Sequence, residues 1–118
     1  MKCVPLTDSS LPQDELEADL AAAEIVENSA VGAKALYLPG RWFARAQYVP
    51  LAALERAYLR LMVGQKNHGH FEQPLLVLVI NGKEQAFLYR RPATVRIILE
   101  KLADRGVTVG KPKPPKPN

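Results

Sequence analysis

His68 and His70 stand two residues apart in the polar stretch from Gly64 to Gln73, with Glu72 close behind. On a strand this spacing would put both imidazoles on one face, as in some metal sites, and Glu72 is the nearby third ligand. All three come from one glycine-containing segment. The expected reading is therefore a pair of solvated loop histidines, with no metal and no cofactor.

A second constellation is basic with aromatic neighbours. On a strand, Arg56, Tyr58 and Arg60 share a face; Arg41, Trp42 and Arg45 lie nearby in sequence, and Arg90 and Arg91 end a later strand. Guanidinium groups hold phosphate or carboxylate in two-pronged fashion, and aromatic rings stack on bases or on guanidinium planes. These eight residues are the candidate surface for an anionic partner. The competing reading is a solvated strand face whose arginines lie over apolar neighbours.

Other chemistry is hard to assemble. There is no phosphate-binding loop, dinucleotide fingerprint or nucleophile elbow. Serines and threonines are few, and most fall at expected linkers or ends. The basic part of the chain holds only Glu55, Glu72, Glu84, Glu100 and Asp104 as acids, too scattered for a carboxylate pair. The single cysteine, Cys3, allows no intrachain disulfide and no four-cysteine zinc site. An enzyme is not expected.

The elements that must position the arginines read as follows. Leu11 to Glu27 has helical spacing at Leu16, Leu20 and Ala23, Ser10 as N-cap, Gln13 three residues on, and Asp14 and Glu15 in the first turns. Asn28 to Ala33 reads as a linker. Ala35–Leu38 and Trp42–Val49 read as a hairpin around Pro39-Gly40. Leu51 to Val63 carries both periods: Leu51, Leu54, Tyr58 and Leu61 fit a helix, whereas residues from Arg56 to Val63 alternate as in a strand. A turn at Pro50 to Ala53 followed by a strand is expected, with a helix as the rival.

Gly64 to Gln73 reads as a polar loop. Leu75 to Ile80 is an unbroken apolar run, the mark of a strand buried on both faces. Asn81-Gly82 is a hairpin turn because both positions accept positive φ, and Lys83 to Arg90 is the returning strand. Pro92 opens a helix whose apolar face is Val95, Ile98, Leu99 and Leu102, closed by Gly106. Lys111 to Pro117 is a Lys/Pro tail with Pro112 and Pro115 at P-x-x-P spacing.

Charge is unevenly placed. Residues 1–27 hold seven acids and one base; residues 28–105 hold twelve bases and five acids; the whole chain carries +4 over 118 residues. An acidic arm on a basic body implies that the arm folds back, with the Arg56/Tyr58/Arg60 face as its expected seat, or that the body meets an anionic partner. No stretch approaches the ~20 apolar residues of a membrane span. The first residues lack the pattern of a signal peptide, so the cytoplasm is the expected location.

The stretch Tyr48-Val49-Pro50-Leu51-Ala52-Ala53-Leu54-Glu55-Arg56-Ala57-Tyr58-Leu59 resembles bacterial PH-like and GRAM-like domains, in which a strand ends in an aromatic–aliphatic–Pro step before a short turn and the next strand. The later hairpin at Asn81-Gly82 and the helix from Pro92 follow the same order. The resemblance covers residues 34–106. It implies an α+β fold: a small, strongly bent antiparallel sheet forming a partial barrel and capped by the C-terminal helix. Five or six strands can be counted here, against seven in a full PH domain. The acidic helix and linker (residues 1–33) and the tail (107–118) are additions. A non-enzymatic binding or assembly module is the expected function, its partner another protein or a second copy of this chain. Nucleic-acid or anionic-surface binding through the arginines is the alternative. No lipid-binding residues carry over from the family.

Overall fold

A computed structural model describes residues 4–6, 10–39, 46–66 and 69–110. Cys3, Arg41, Trp42, Arg45, His68 and the Lys/Pro tail lie outside the described residues. In chain order the elements are β1 (Val4–Pro5), α1 (Gln13–Ala21), β2 (Glu24–Val26), β3 (Ser29–Val31), β4 (Ala35–Leu38), β5 (Gln47–Pro50), β6 (Arg56–Lys66), β7 (Gly69–Ile80), β8 (Lys83–Leu88) and α2 (Pro92–Asp104). The fold is α+β. The strands form two sheets, ordered β1-β5-β4-β3-β2 and β6-β7-β8. All pairings are antiparallel except that of the two-residue β1 with β5. Among the described residues there are two sheets in place of one bent sheet of five or six strands, and they do not close into a barrel.

Strand alternation divides the apolar residues between layers. Val31, Leu36, Leu38 and Val49 of the first sheet meet Ala57, Leu76, Leu78, Ile80 and Phe87 of the second in one buried cluster. Val95, Ile98 and Leu102 of α2 belong to that cluster, and α2 touches β2 and β3 as well as β6 and β7. The other face of the first sheet presents Ala30, Ala35, Tyr37 and Tyr48, which Leu16 and Leu20 of α1 cover. Covered on both sides, β4 has all four residues buried.

At the centre of the α1 layer, buried Asp19 accepts hydrogen bonds from the Lys34 and Ala35 backbone amides (3.0 and 3.2 Å) and from the Tyr37 hydroxyl (2.7 Å).

Several expectations are corrected. The first helix spans Gln13–Ala21 rather than Leu11 to Glu27, and Pro12, not Ser10, occupies its N-cap without a side-chain bond. The linker at 28–33 is instead strand and bend: β2 and β3 form a hairpin whose turn residue Glu27 has φ of 53°. Positive φ at glutamate is costly. Here the side chain is held in compensation, since the Glu27 carboxylate accepts from the Thr94 hydroxyl (2.7 Å) and pairs with Arg91 (3.5 Å).

The segment at Leu51–Ala53 is a single 3₁₀ turn, and the strand alternative prevails after it. The largest difference is the supposed polar loop from Gly64 to Gln73. There the ladder between β6 and β7 continues without a bulge from Arg56 opposite Val79 to Lys66 opposite Gly69. The third strand stops at Leu88 opposite Leu75, so among the described residues 62–66 and 69–73 pair as a two-stranded ribbon beyond it. The polar sequence there does not prevent pairing.

Asn81 and Gly82 take φ of 54° and 75°, as the turn between β7 and β8 requires. Gly106, at φ of 88°, follows α2 as expected. Among the described residues no helix is long and apolar enough to cross a membrane.

Candidate binding face and strand edge

The register of the second sheet sets out the candidate face row by row. Arg56, Val79 and Glu84 form one row; Tyr58, Val77 and Ala86 the next; Arg60, Leu75 and Leu88 the third; Met62 and Gln73 follow. This face points away from the first sheet. Tyr58, Leu75 and Val77 are buried in a small cluster of their own.

Arg56, Tyr58 and Arg60 therefore do share a face. Their polar groups are engaged within the protein. The Tyr58 hydroxyl donates to the Glu84 carboxylate. Arg60 Nη2 donates to the Tyr58 oxygen (2.8 Å) and pairs with Glu84 (3.3 Å), its guanidinium 5.6 Å from the Tyr58 ring centre. Arg56 Nη1 donates to the Gly110 carbonyl (2.9 Å). Each guanidinium thus has an oxygen partner, and one negative charge already sits among them.

Arg90 and Arg91 lie at the far end of the sheet. Arg90 is exposed and lines a recess of about 410 Å³ with Glu27, Asn28, Gln73, Leu88 and Tyr89. Arg91 is paired with Glu27. The described part of the acidic segment, α1 and β2, does not lie over the Arg56/Tyr58/Arg60 face. Its cationic partners are elsewhere: Glu15 pairs with Lys34, Glu24 with Lys101 and Arg105, and Glu27 with Arg91. The apolar stripe of α1 decides this, because Leu16 and Leu20 must be buried against the first sheet. His70 and Glu72 belong to β7 by backbone. Among the described residues, no three histidine, cysteine or acidic side chains gather as metal ligands.

Three members of the face were not singled out from sequence. Glu84 is fixed opposite Val79 by the two-residue turn at Asn81-Gly82, a register that could have been counted from that turn. Met62 and Leu88, 44% and 52% exposed, are large apolar side chains left in solvent beside Leu75. Single exposed apolar residues are ordinary, but these two flank the buried cluster of Tyr58, Leu75 and Val77.

The edge of β6 adds backbone groups to this surface. The Ala57 amide donates to Thr108 (3.0 Å) and the Ala57 carbonyl accepts from Gly110 (2.9 Å). Ala57 therefore turns its backbone groups away from β7. By alternation Leu59 and Leu61 do the same. Among the described residues no strand pairs with β6 on that side beyond Ala57.

Behind the sheet, the Tyr89 hydroxyl shares a buried 2.7 Å hydrogen bond with Ser29. Burial pushes this phenol above its usual range, the Ser29 hydroxyl pulls it partway back, and the Glu27 carboxylate adds to the rise. Since the folded value is raised, the stabilising effect is complete below the unfolded value of about 10 and fades as pH climbs through the folded one. The stability advantage of the native chain over Tyr89→Phe should thus be constant near neutrality and shrink above pH ~10. Thermal melts of both proteins across that range check it; a gap that stays constant or widens would refute the sign.

The chain matches no protein-family model, no curated protein and no solved structure.

Proposed function

We propose that this chain is a non-enzymatic protein-binding or assembly module that works through the edge of β6 and the adjoining outer face of its sheet. The carrying observation is that edge. From Leu59 onward it offers N–H and C=O groups with no partner among the described residues, next to half-exposed Leu61 and Met62. An open edge is a template for strand addition, in which main-chain bonds give affinity and side chains give selectivity.

A PH-like arrangement is supported by chain order: four antiparallel strands in one sheet, three in the next, then the helix beside both. A protein partner is favoured over a polyanion because Glu84 already occupies Arg60 and a backbone carbonyl occupies Arg56. Phosphate would have to displace both and would be repelled by the carboxylate.

The test is a photo-cross-linking amino acid at position 61, with position 100 on α2 as control, irradiated in cells. A protein adduct of defined mass should form at 61 and not at 100, and should persist at high salt, where phosphate contacts weaken steeply. Adducts to nucleic acid or lipid alone, or none, would overturn the reading.

A further inference from the structure

Resting on that reading, we infer that the partner is a second copy of this chain, and that two β6 strands pair antiparallel about a twofold axis at Met62. Among the described residues the chain pairs with this edge of β6 only at Ala57. The bonds of Ala57 to Thr108 and Gly110 start a parallel ladder. Its next rung would need the Leu59 amide on the Gly110 carbonyl, and a residue-112 amide on the Leu59 carbonyl. The Gly110 carbonyl is taken by Arg56. Among the described residues the ladder ends at Ala57, and prolines at 112 and 114 lack the N–H groups that would carry it on to Leu59 and Leu61.

A twofold pair places residue i opposite a residue whose number sums with it to a constant. With the axis at Leu61, residue 65 of one copy would face Ala57 of the other, whose bonds are already made. With the axis at residue 63, Arg60 would face Lys66, and like charges directly opposite destabilise a sheet. With the axis at Met62, residues 58–66 pair wholly among themselves. Leu61 then faces residue 63, Leu59 faces residue 65, and no like charges stand opposite. Every outward backbone group from Leu59 to residue 65 is used, and the 108–110 segment is undisturbed. The unbroken ladder of β6 with β7 keeps the alternation regular along this stretch.

The product is a continuous six-stranded sheet, β8-β7-β6 joined to β6-β7-β8 of the second copy. It also gives each two-stranded ribbon a further strand, which an isolated hairpin needs for stability in water. Met62 meets Met62 in a non-hydrogen-bonded pair, the closer of the two antiparallel geometries, at about 4.5 Å between Cα atoms. That separation lies inside the range a disulfide spans.

The 118-residue chain should therefore scatter light as twice 13.1 kDa at about 100 µM. In a Cys3→Ser background, Met62→Cys should oxidise to a linked dimer at least tenfold faster than Arg60→Cys, whose opposite number is residue 64. Met62→Glu sets two carboxylates face to face on the axis, and should give a monomer with an unchanged far-UV spectrum. A native chain that stays at 13.1 kDa, or equal oxidation at 60 and 62, overturns the inference. If the native chain is monomeric but position 61 still cross-links to a different protein, self-pairing falls and the binding-module reading stands. If position 61 gives no protein adduct either, both fall.

Discussion

Gly32→Ala should cost this fold about 3 kcal/mol, toward the upper end for an added methyl group in a packed site. A β-carbon at position 32 would stand 2.1 Å from Asp19 Oδ2 and 2.6 Å from its Cγ. Space is the whole reason: the backbone at 32 is not in the left-handed region. Asp19 cannot easily move aside. Its two oxygens are held by the amides of Lys34 and Ala35 and by the Tyr37 hydroxyl, and it is buried between α1 and the first sheet. Shifting it leaves those donors without an acceptor, at ~1–3 kcal/mol for each group stranded.

The same geometry predicts strong coupling. Asp19→Ala alone should be as harmful as Gly32→Ala, because it strands the same donors. Once Asp19 is gone the obstacle is gone, so Gly32→Ala added to Asp19→Ala should cost under ~1 kcal/mol more. Urea melts of the four proteins provide the cycle. Additive costs would mean that Gly32 is needed for something other than room for the carboxylate.

This node also bounds what could be read from sequence. In sequence Asp19 is one of seven acids in residues 1–27, and nothing local distinguishes it from Asp14 or Glu17. Its partners lie more than a dozen residues away, and they become neighbours only when α1 crosses β4. Local chemistry was legible where it acts alone. Asn81-Gly82, Pro50 and Pro92 each impose a backbone geometry through their own covalent structure, and turn, strand end and helix start fall there.

Elements whose reason is tertiary were misread. The β2–β3 hairpin turns at Glu27, a residue with no turn preference, because Thr94 and Arg91 hold its carboxylate. Residues 62–66 and 69–73 pair as strands although their sequence does not alternate between apolar and polar. Of the eight candidate residues, Arg56, Tyr58 and Arg60 meet as their spacing required, and Arg90 and Arg91 are placed apart. The Glu84 carboxylate that changes the character of the face comes from a different strand.

The second large effect concerns α2, whose adjacent isoleucines should behave oppositely. Ile98 is 0% exposed and Ile97 is 43% exposed. At 100° per residue the two side chains diverge, and only Ile98 lies on the stripe with Val95 and Leu102. That stripe belongs to the cluster that both sheets enter. Ile98→Ala should therefore cost about 3–4 kcal/mol, as removal of a large side chain from a rigid interior does. Ile97→Ala should cost less than ~1 kcal/mol.

The large loss should be shared by the whole fold rather than confined to the helix. Glu24 binds Lys101 at 2.8 Å and Arg105 at 3.3 Å, while Glu27 binds Thr94, so the β2–β3 hairpin grips α2 at both ends. A cavity at Ile98 consequently loosens both sheets together. Near-UV and far-UV melts of Ile98→Ala should coincide at one lowered midpoint. Two separated transitions would mean that the sheets hold themselves without the helix, and the account of α2 as their common link would fail.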